Sequence, residues 1–291
     1  QDGIDIAGSN GNTIAGNWIG LNAAGTGAAG NQQGINLWNS NNNIIGGSTA
    51  ADRNVISANT GPGISINTDN GTSTGNQIRG NYIGTDSTGM AALGNANQGV
   101  YINAANNVIG GTVSGYGNVI SGTLNWAGIG LNTNASGTLV AGNLIGLNAT
   151  GTAALGNNGG GITVLSANNT IGGTTSLARN VISGNNSAGI RIDGAAATGN
   201  VVTGNYIGTN INGTADVNGT AQVDGLSGVV MSNGASNNRI GTNADGSNDA
   251  AERNIISGNN WFGVEMIGAS TTGNVVQGNY IGTDVTGLVA L

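Results

Sequence analysis

Gly3-Ile4-Asp5-Ile6, then Asn12-Thr13-Ile14, then Asn17-Trp18-Ile19: these three short runs recur in this order to the end of the chain. There they read Gly263-Val264-Glu265-Met266, Asn274-Val275-Val276 and Asn279-Tyr280-Ile281. Self-similarity of this kind marks a repeat architecture, in which no single unit can bury its apolar face and stacking supplies the core. The leading glycine falls at 3, 34, 63, 99, 128, 161, 189, 228 and 263, which makes nine copies. After it the apolar residues alternate, as in Ile35 and Leu37 or Ile190 and Ile192, the period of a strand with one buried face. The second and third runs are short strands as well, centred on Ile14, Ile45 and Ile78 and on Ile19, Ile56 and Ile83 in the first three copies. Three such strands, separated by Gly- and Asn-rich corners, describe one coil of a parallel β-helix. Nine coils at ~4.8 Å each predict a rod about 40–45 Å long.

The expected fold is therefore all-β, a single-stranded parallel β-helix (β-solenoid) of about nine coils of three short strands. Residues 1–291 are expected to form one solenoid domain. Insertions alternate along it: some copies carry extra residues between strands two and three, such as 46–53, and others after strand three, such as 84–95. The repeat is thus a two-coil unit of about 62–74 residues.

Composition removes whole chemistries. The chain has no Cys and no His, and all six of its basic residues are Arg, so it has no Lys. Thiol nucleophiles, His bases, His or Cys metal sites and Lys Schiff bases are excluded. A net charge of −7 argues against nucleic acid, where basic patches supply affinity. No apolar run approaches the ~18 residues of a membrane span. Small polar residues, acidity and the absence of Lys lean toward an extracellular or cell-surface setting. The chain starts in mid-repeat at Gln1 and shows no cap at either end. It reads as a mature or excised segment, or as a rod able to stack end to end on copies of itself or on neighbouring domains.

Two rows of residues stand out. The third strand opens with Asn in every copy, at Asn17, Asn54, Asn81, Asn118, Asn143, Asn180, Asn205, Asn254 and Asn279. The second opens with Asn in all but one, with Thr138 as the exception. Stacked amides can hydrogen-bond along a rod, and Asn tolerates the left-handed backbone of corners, so these rows read as a structural ladder. The outward residues of strand three are Trp18, Val55, Tyr82, Val119, Leu144, Val181, Tyr206, Ile255 and Tyr280. An exposed apolar stripe of that length is a candidate self-association surface, unless insertions carrying Ala92-Leu93 and Ala154-Leu155 fold back over it.

At this point the residues resemble a known group. Gly-Asn-Tyr-Ile-Gly-Thr-Asp (80–86 and 278–284), Thr-Ala-Ala-Leu-Gly-Asn (152–157) and Arg-Asn-Val-Ile-Ser-Gly-Asn (179–185) are similar to repeats of right-handed parallel β-helix proteins in large bacterial secreted and surface polypeptides. The broader fold resembles the pectate-lyase-like and periplasmic copper-processing β-helix families. The resemblance implies right-handed coils. It also implies that any catalysis would sit on the outward side of strand one.

That side carries Asp5, Asn36, Ser65, Tyr101, Gly130, Thr163, Arg191, Val230 and Glu265. Asp5 and Glu265 lie eight coils apart, so the paired carboxylates of a glycosidase are missing. Arg191 with Asp193 is the only fragment of a lyase site, and its plain alternative is a surface ion pair. No catalytic residue and no metal ligand set is assigned, and no cofactor is expected. Calcium remains a candidate at Asp86 and Asp284, although Asn22, Asn148 and Asn210 fill the same place elsewhere, which favours a turn cap. Asp245, Asp249 and Glu252 cluster near Arg253, and Arg53, Arg179 and Arg253 recur before strand three, pointing to pairing with Asp or carbonyls.

The function expected from these residues is structural and non-catalytic: an extracellular stalk, adhesin shaft or filament subunit, and not an enzyme. The alternative is a carbohydrate-binding or polysaccharide-degrading β-helix, with glycans as partners. A third reading is a module presenting its divergent 209–227 insertion to a protein partner.

Overall fold

The computed structural model describes residues 1–218 and 227–291, so the 209–227 insertion falls partly outside the described residues. It holds three parallel sheets of nine strands each. The first sheet stacks Ile4–Ala7, Ile35–Trp38, Ile64–Asn67, Val100–Asn103, Ile129–Leu131, Ile162–Val164, Ile190–Asp193, Val229–Ser232 and Val264–Met266, one strand per coil in chain order. The second and third sheets do the same with the two shorter strands. Register never slips between neighbours: Ile35 pairs with Ile64, Ile45 with Ile78 and Ile56 with Ile83. One continuous core results, with Ile, Val and Leu from all three sheets stacked on their own kind and mostly inaccessible to solvent. Burying each such side chain contributes about 1.5–3 kcal/mol.

The leading glycine has a steric reason. A Cβ at Gly34 would lie 2.4 Å from both the Gly63 carbonyl oxygen and the Ile56 Cγ2, so the first strand can close on the third only where there is no side chain.

Each corner holds an amide ladder. In the third-strand row, the Nδ2 of every Asn from Asn17 to Asn254 donates to the Oδ1 of the Asn one coil on, at 2.9–3.1 Å. The same Oδ1 also accepts the neighbour's backbone N–H, as at Asn81 and Asn118. Remaining donor capacity closes on carbonyls of an earlier coil: Asn118 Nδ2 bonds the Ile78 oxygen at 2.9 Å. The second-strand row repeats this, broken at Thr138, whose hydroxyl turns to the Ala135 carbonyl. A further row at the third corner, Asn31–Asn59–Asn95 and Asn157–Asn185, was not singled out in the sequence because Thr123 and variable insertion lengths interrupt it. The left-handed backbone sits one residue away from the ladder, at Asn42, Asn106, Asn168 and Asn237, because a ladder Asn must keep its side chain directed along the rod.

The insertions after strand three explain the two-coil repeat. They form turns that bond to the equivalent turn two coils on: Ser87 N–H to the Gly25 oxygen, Ala149 to Gly89, Ile211 to Gly151 and Val285 to Gly213. The turns therefore bridge the coil between them and cover its third strand.

Asn118→Ala removes the shared acceptor of the Asn81 backbone N–H and Nδ2 on one side and one of the two donors to Asn143 Oδ1 on the other, inside a buried row. It is expected to cost about 3 kcal/mol, against about 1 kcal/mol for Asn17→Ala at the half-exposed end. Equilibrium denaturant unfolding measures both.

Candidate functional site

The outward face of the first sheet carries a cleft of about 540 Å³, lined by Gln98, Tyr101, Trp126, Asn132, Thr163, Leu165 and Arg191 among others. Its floor is a missing side chain. Tyr101, Gly130, Thr163 and Arg191 are register partners on four successive coils, and Gly130 leaves the hollow between its neighbours. The Gln98 side chain reaches over it, with Cγ 3.2 Å from where a Cβ would stand.

The walls are held from behind. Asn132 Oδ1 accepts the Thr133 amide, which orients its Nδ2 toward Tyr101 Oη at 2.5 Å. With Asn132 as donor, the phenolic proton of Tyr101 is free to be given to a ligand. The Trp126 carbonyl accepts from the Thr123 hydroxyl at 2.5 Å and from the Gly159 N–H at 3.0 Å. A Cβ at Gly159 would lie 2.5 Å from the Trp126 carbonyl carbon, so the two coils press together there. The Trp126 backbone is thus pinned while the residue stays 57% exposed.

The charge of the cleft rests on Arg191. Among the described residues the other five arginines are all engaged. Arg53, Arg179 and Arg253 stack on Tyr82, Tyr206 and Tyr280 with the guanidinium carbon 4.0–4.1 Å from the ring centroid. Arg79 stacks on Tyr116, and Arg239 pairs with Glu252 at 3.2 Å. Arg191 makes no ion pair, hydrogen bond or ring contact among the described residues. The ion pair with Asp193 considered from the sequence does not form, because Asp193 turns to the next coil, accepting from Ser232 Oγ and Asn233 Nδ2.

The third sheet accounts for the apolar stripe. Val55, Val119, Val181, Tyr206 and Ile255 are buried beneath the bridging turns, Tyr82, Leu144 and Tyr280 are half-buried, and Trp18 is exposed. Five of the nine stripe positions are therefore closed to a second copy. The cover differs from the one expected: Leu147, Val217 and Val285 of the turns pack on the stripe, while Ala92 and Ala154 lie at the corner against Gly122 and Gly184. Each capped Tyr lies between an Arg of the preceding coil and a turn glycine. Gly89 has φ +73°, and a Cβ there would stand 2.7 Å from the Tyr82 ring. The recurrent arginines thus mainly stack on rings, with Arg179 and Arg253 also bonding the Gly204 and Gly278 carbonyls. The sequence signal was present, since each such Arg stands one coil before a Tyr.

Acidic groups of the described insertions are internally satisfied. Glu252 pairs with Arg239 rather than with the adjacent Arg253. Asp86 Oδ1 accepts from Thr88 Oγ1 and from the Met90 and Ala91 amides. Asn148 makes the same cap at its own turn, so the turn does not require a charge. Among the described residues no group of three or more His, Cys, Asp or Glu is placed to hold a metal, and no helix is long and apolar enough to cross a membrane.

The sequence matches no family model and no curated protein. Among solved structures the chain is similar to the periplasmic alginate epimerase AlgG, with 18% identity and a TM-score of 0.52, over 84% of this chain and 46% of that one. A double mutant of AlgG gives 17% identity, a TM-score of 0.52 and coverage of 84% and 47%. The match thus spans less than half the length of those chains. At this identity the likeness establishes the fold: a right-handed parallel β-helix, in the sense that parallel crossovers prefer. It also corrects the functional expectation. The architecture recurs in an enzyme that acts on a polysaccharide, which overturns the stalk, adhesin or filament reading and the expectation of no enzymatic role.

Burial pushes the Asp86 carboxyl up, but hydrogen bonds from the Thr88 hydroxyl and the Ala91 and Met90 amides outweigh it and hold the group below its ordinary value of 3.8. A carboxyl lowered by folding stabilises the fold above that value and loses the contribution as pH falls below it. Asp86→Asn is expected to change stability at pH 7 by less than about 0.5 kcal/mol. Thermal melts between neutral pH and pH 3 should show a shallower acid loss in the variant than in the parent chain.

Proposed function

We propose that this chain is a carbohydrate-active β-helix that takes an acidic polysaccharide in the cleft of its first sheet. The observation that carries the reading is Arg191, a guanidinium without a protein partner among the described residues, set in a concave and partly aromatic site. Polysaccharide sites commonly combine flat aromatic surfaces with a few placed polar groups, and here Trp126 and Tyr101 supply the first and Gln98, Asn132 and Thr163 the second. A carboxylate on the sugar is the natural partner of an unpaired guanidinium.

The same geometry favours one kind of chemistry. Hydrolysis by two carboxylates is disfavoured, because among the described residues no carboxylate lines the cleft. Neutralising a uronate carboxylate with Arg191 acidifies the adjacent C–H bond, the shared requirement of epimerisation and of β-elimination. Tyr101 is the side chain of the described lining able to carry a proton. As phenolate, held by the Asn132 amide, it would take the proton from that carbon, leaving the electron pair in an enolate at the Arg191-paired carboxylate. As phenol it would return a proton to the carbon or to the departing glycosidic oxygen. An exported protein, periplasmic or beyond, suits a polymer of this kind.

Calorimetric titration with alginate and polygalacturonate, with neutral dextran as control, tests the reading. Binding to an acidic polymer that weakens with salt and falls at least about ten-fold in Arg191→Ala is expected. Gly130→Leu, which fills the hollow without touching the core, should abolish binding and leave the melting temperature near that of the parent. Equal affinity for dextran, or an unchanged Arg191→Ala, contradicts the reading. Incubation of the bound polymer in D2O should place deuterium at the carbon beside the carboxylate, or leave an unsaturated uronate at a cleaved end, and Tyr101→Phe should prevent both. Absence of both products in a chain that binds normally contradicts the catalytic part alone.

A further inference from the structure

Beyond the cleft, the outward face of the first sheet is not the same in its two directions. Past Arg191, toward the last coil, come Val230 and Glu265, while Asp193 stands on the same strand as Arg191. Among the described residues the two carboxylates are met by neutral donors: Ser232 and Asn233 for Asp193, and Ser227 for Glu265. Toward the first coil the face continues in two rows, Ser65 and Asn36 behind Tyr101, and Asn103, Asn67 and Trp38 beside them. No charge appears there until Asp5, whose carboxylate accepts the Asn36 amide at 2.9 Å.

Two further observations point to an occupant on that side. Asn36 Oδ1 and Asn103 Oδ1 are buried oxygens with no partner, two of the four such side-chain atoms among the described residues. Orphaned polar atoms at one surface call for an explanation. Trp38 is 41% exposed at the end of the strip, yet its carbonyl is fixed by the Ser40 hydroxyl at 2.9 Å and the Gly8 N–H at 2.9 Å.

We propose that the strip over Asn103, Asn67 and Trp38 extends the binding site, so that an acidic polysaccharide held by Arg191 runs along the rod toward the first coil and stacks a distant sugar on Trp38. The inference rests on the cleft being a polysaccharide site. Its direction is electrostatic: a polyanion laid the other way runs onto Glu265 two coils on, and one laid this way passes amides and an indole. Its length is set by the coils. Arg191 in the seventh and Trp38 in the second are five coils apart, about 24 Å at the spacing of stacked strands, while a pyranose with its linkage covers about one coil, ~5 Å. A trisaccharide seated at Arg191 cannot reach Trp38, and an octasaccharide can. The second contact is then intramolecular and adds affinity without a second encounter.

The experiment compares a uronate trisaccharide and an octasaccharide, prepared from whichever acidic polymer binds, by calorimetry on the full chain. Trp38→Ala is expected to weaken the octasaccharide about ten-fold and leave the trisaccharide unchanged. Trp261→Ala, a still more exposed tryptophan toward the opposite end, is expected to alter neither. An octasaccharide indifferent to Trp38→Ala, or weakened by Trp261→Ala instead, overturns the extension. Arg191→Ala separates the two levels: trisaccharide binding that survives it defeats the cleft reading, whereas failure of Trp38→Ala alone defeats only the extension. Trp38 is a surface residue outside the core, and an unchanged melting temperature in the variant excludes a folding artefact.

Discussion

The corner amide carries the rest of this structure. A ladder Asn gives both its Nδ2 and its backbone N–H to the Oδ1 of the next coil, so each coil is locked to its neighbour at one residue. A slip by one position breaks these bonds in a buried environment and turns every Ile of the coil outward. Register is therefore held across nine coils, and sequence change is confined to outward positions and to insertions at the corners. Everything that could distinguish this solenoid from another lies in those two places.

Insertions show how the confinement works. Turns after strand three meet across every second coil and bury Val55, Val119, Val181 and Ile255, which a single-coil repeat would leave in water. Tyr82, Tyr206 and Tyr280 are closed from one side by an arginine and from the other by a glycine of the turn. The acidic composition leaves few cations, and those stacks and the Arg239–Glu252 pair use most of them. An arginine outside this scheme, two coils from the position left empty by Gly130, is the local exception where chemistry is expected.

The fold was legible in the sequence because its cause is local and periodic: alternating Ile, a fixed glycine and a fixed Asn recur wherever a coil passes a corner. The strand-one face was legible as well, since parity alone places Tyr101, Gly130, Thr163 and Arg191 outward. What parity does not reveal is how those positions combine. Trp126 and Gln98 come from corner segments of variable length, and their approach to Gly130 depends on contacts such as that of Gly159 with the Trp126 backbone. The apolar stripe was misleading for the same reason, because its cover comes from turns of the coils on either side. Asp193 stands two residues from Arg191 and reads as its partner, yet the geometry sends it to Ser232 and Asn233 of the following coil.

The most direct measurement is an NMR titration that follows the six arginine side-chain Nε–H resonances as a uronate octasaccharide is added. The Arg191 resonance should shift and saturate with the ligand, while the five arginines held by rings or by Glu252 stay in place. A titration in which Arg191 does not move, or in which Arg53 and Arg179 on the third sheet move instead, would contradict the assignment of the site.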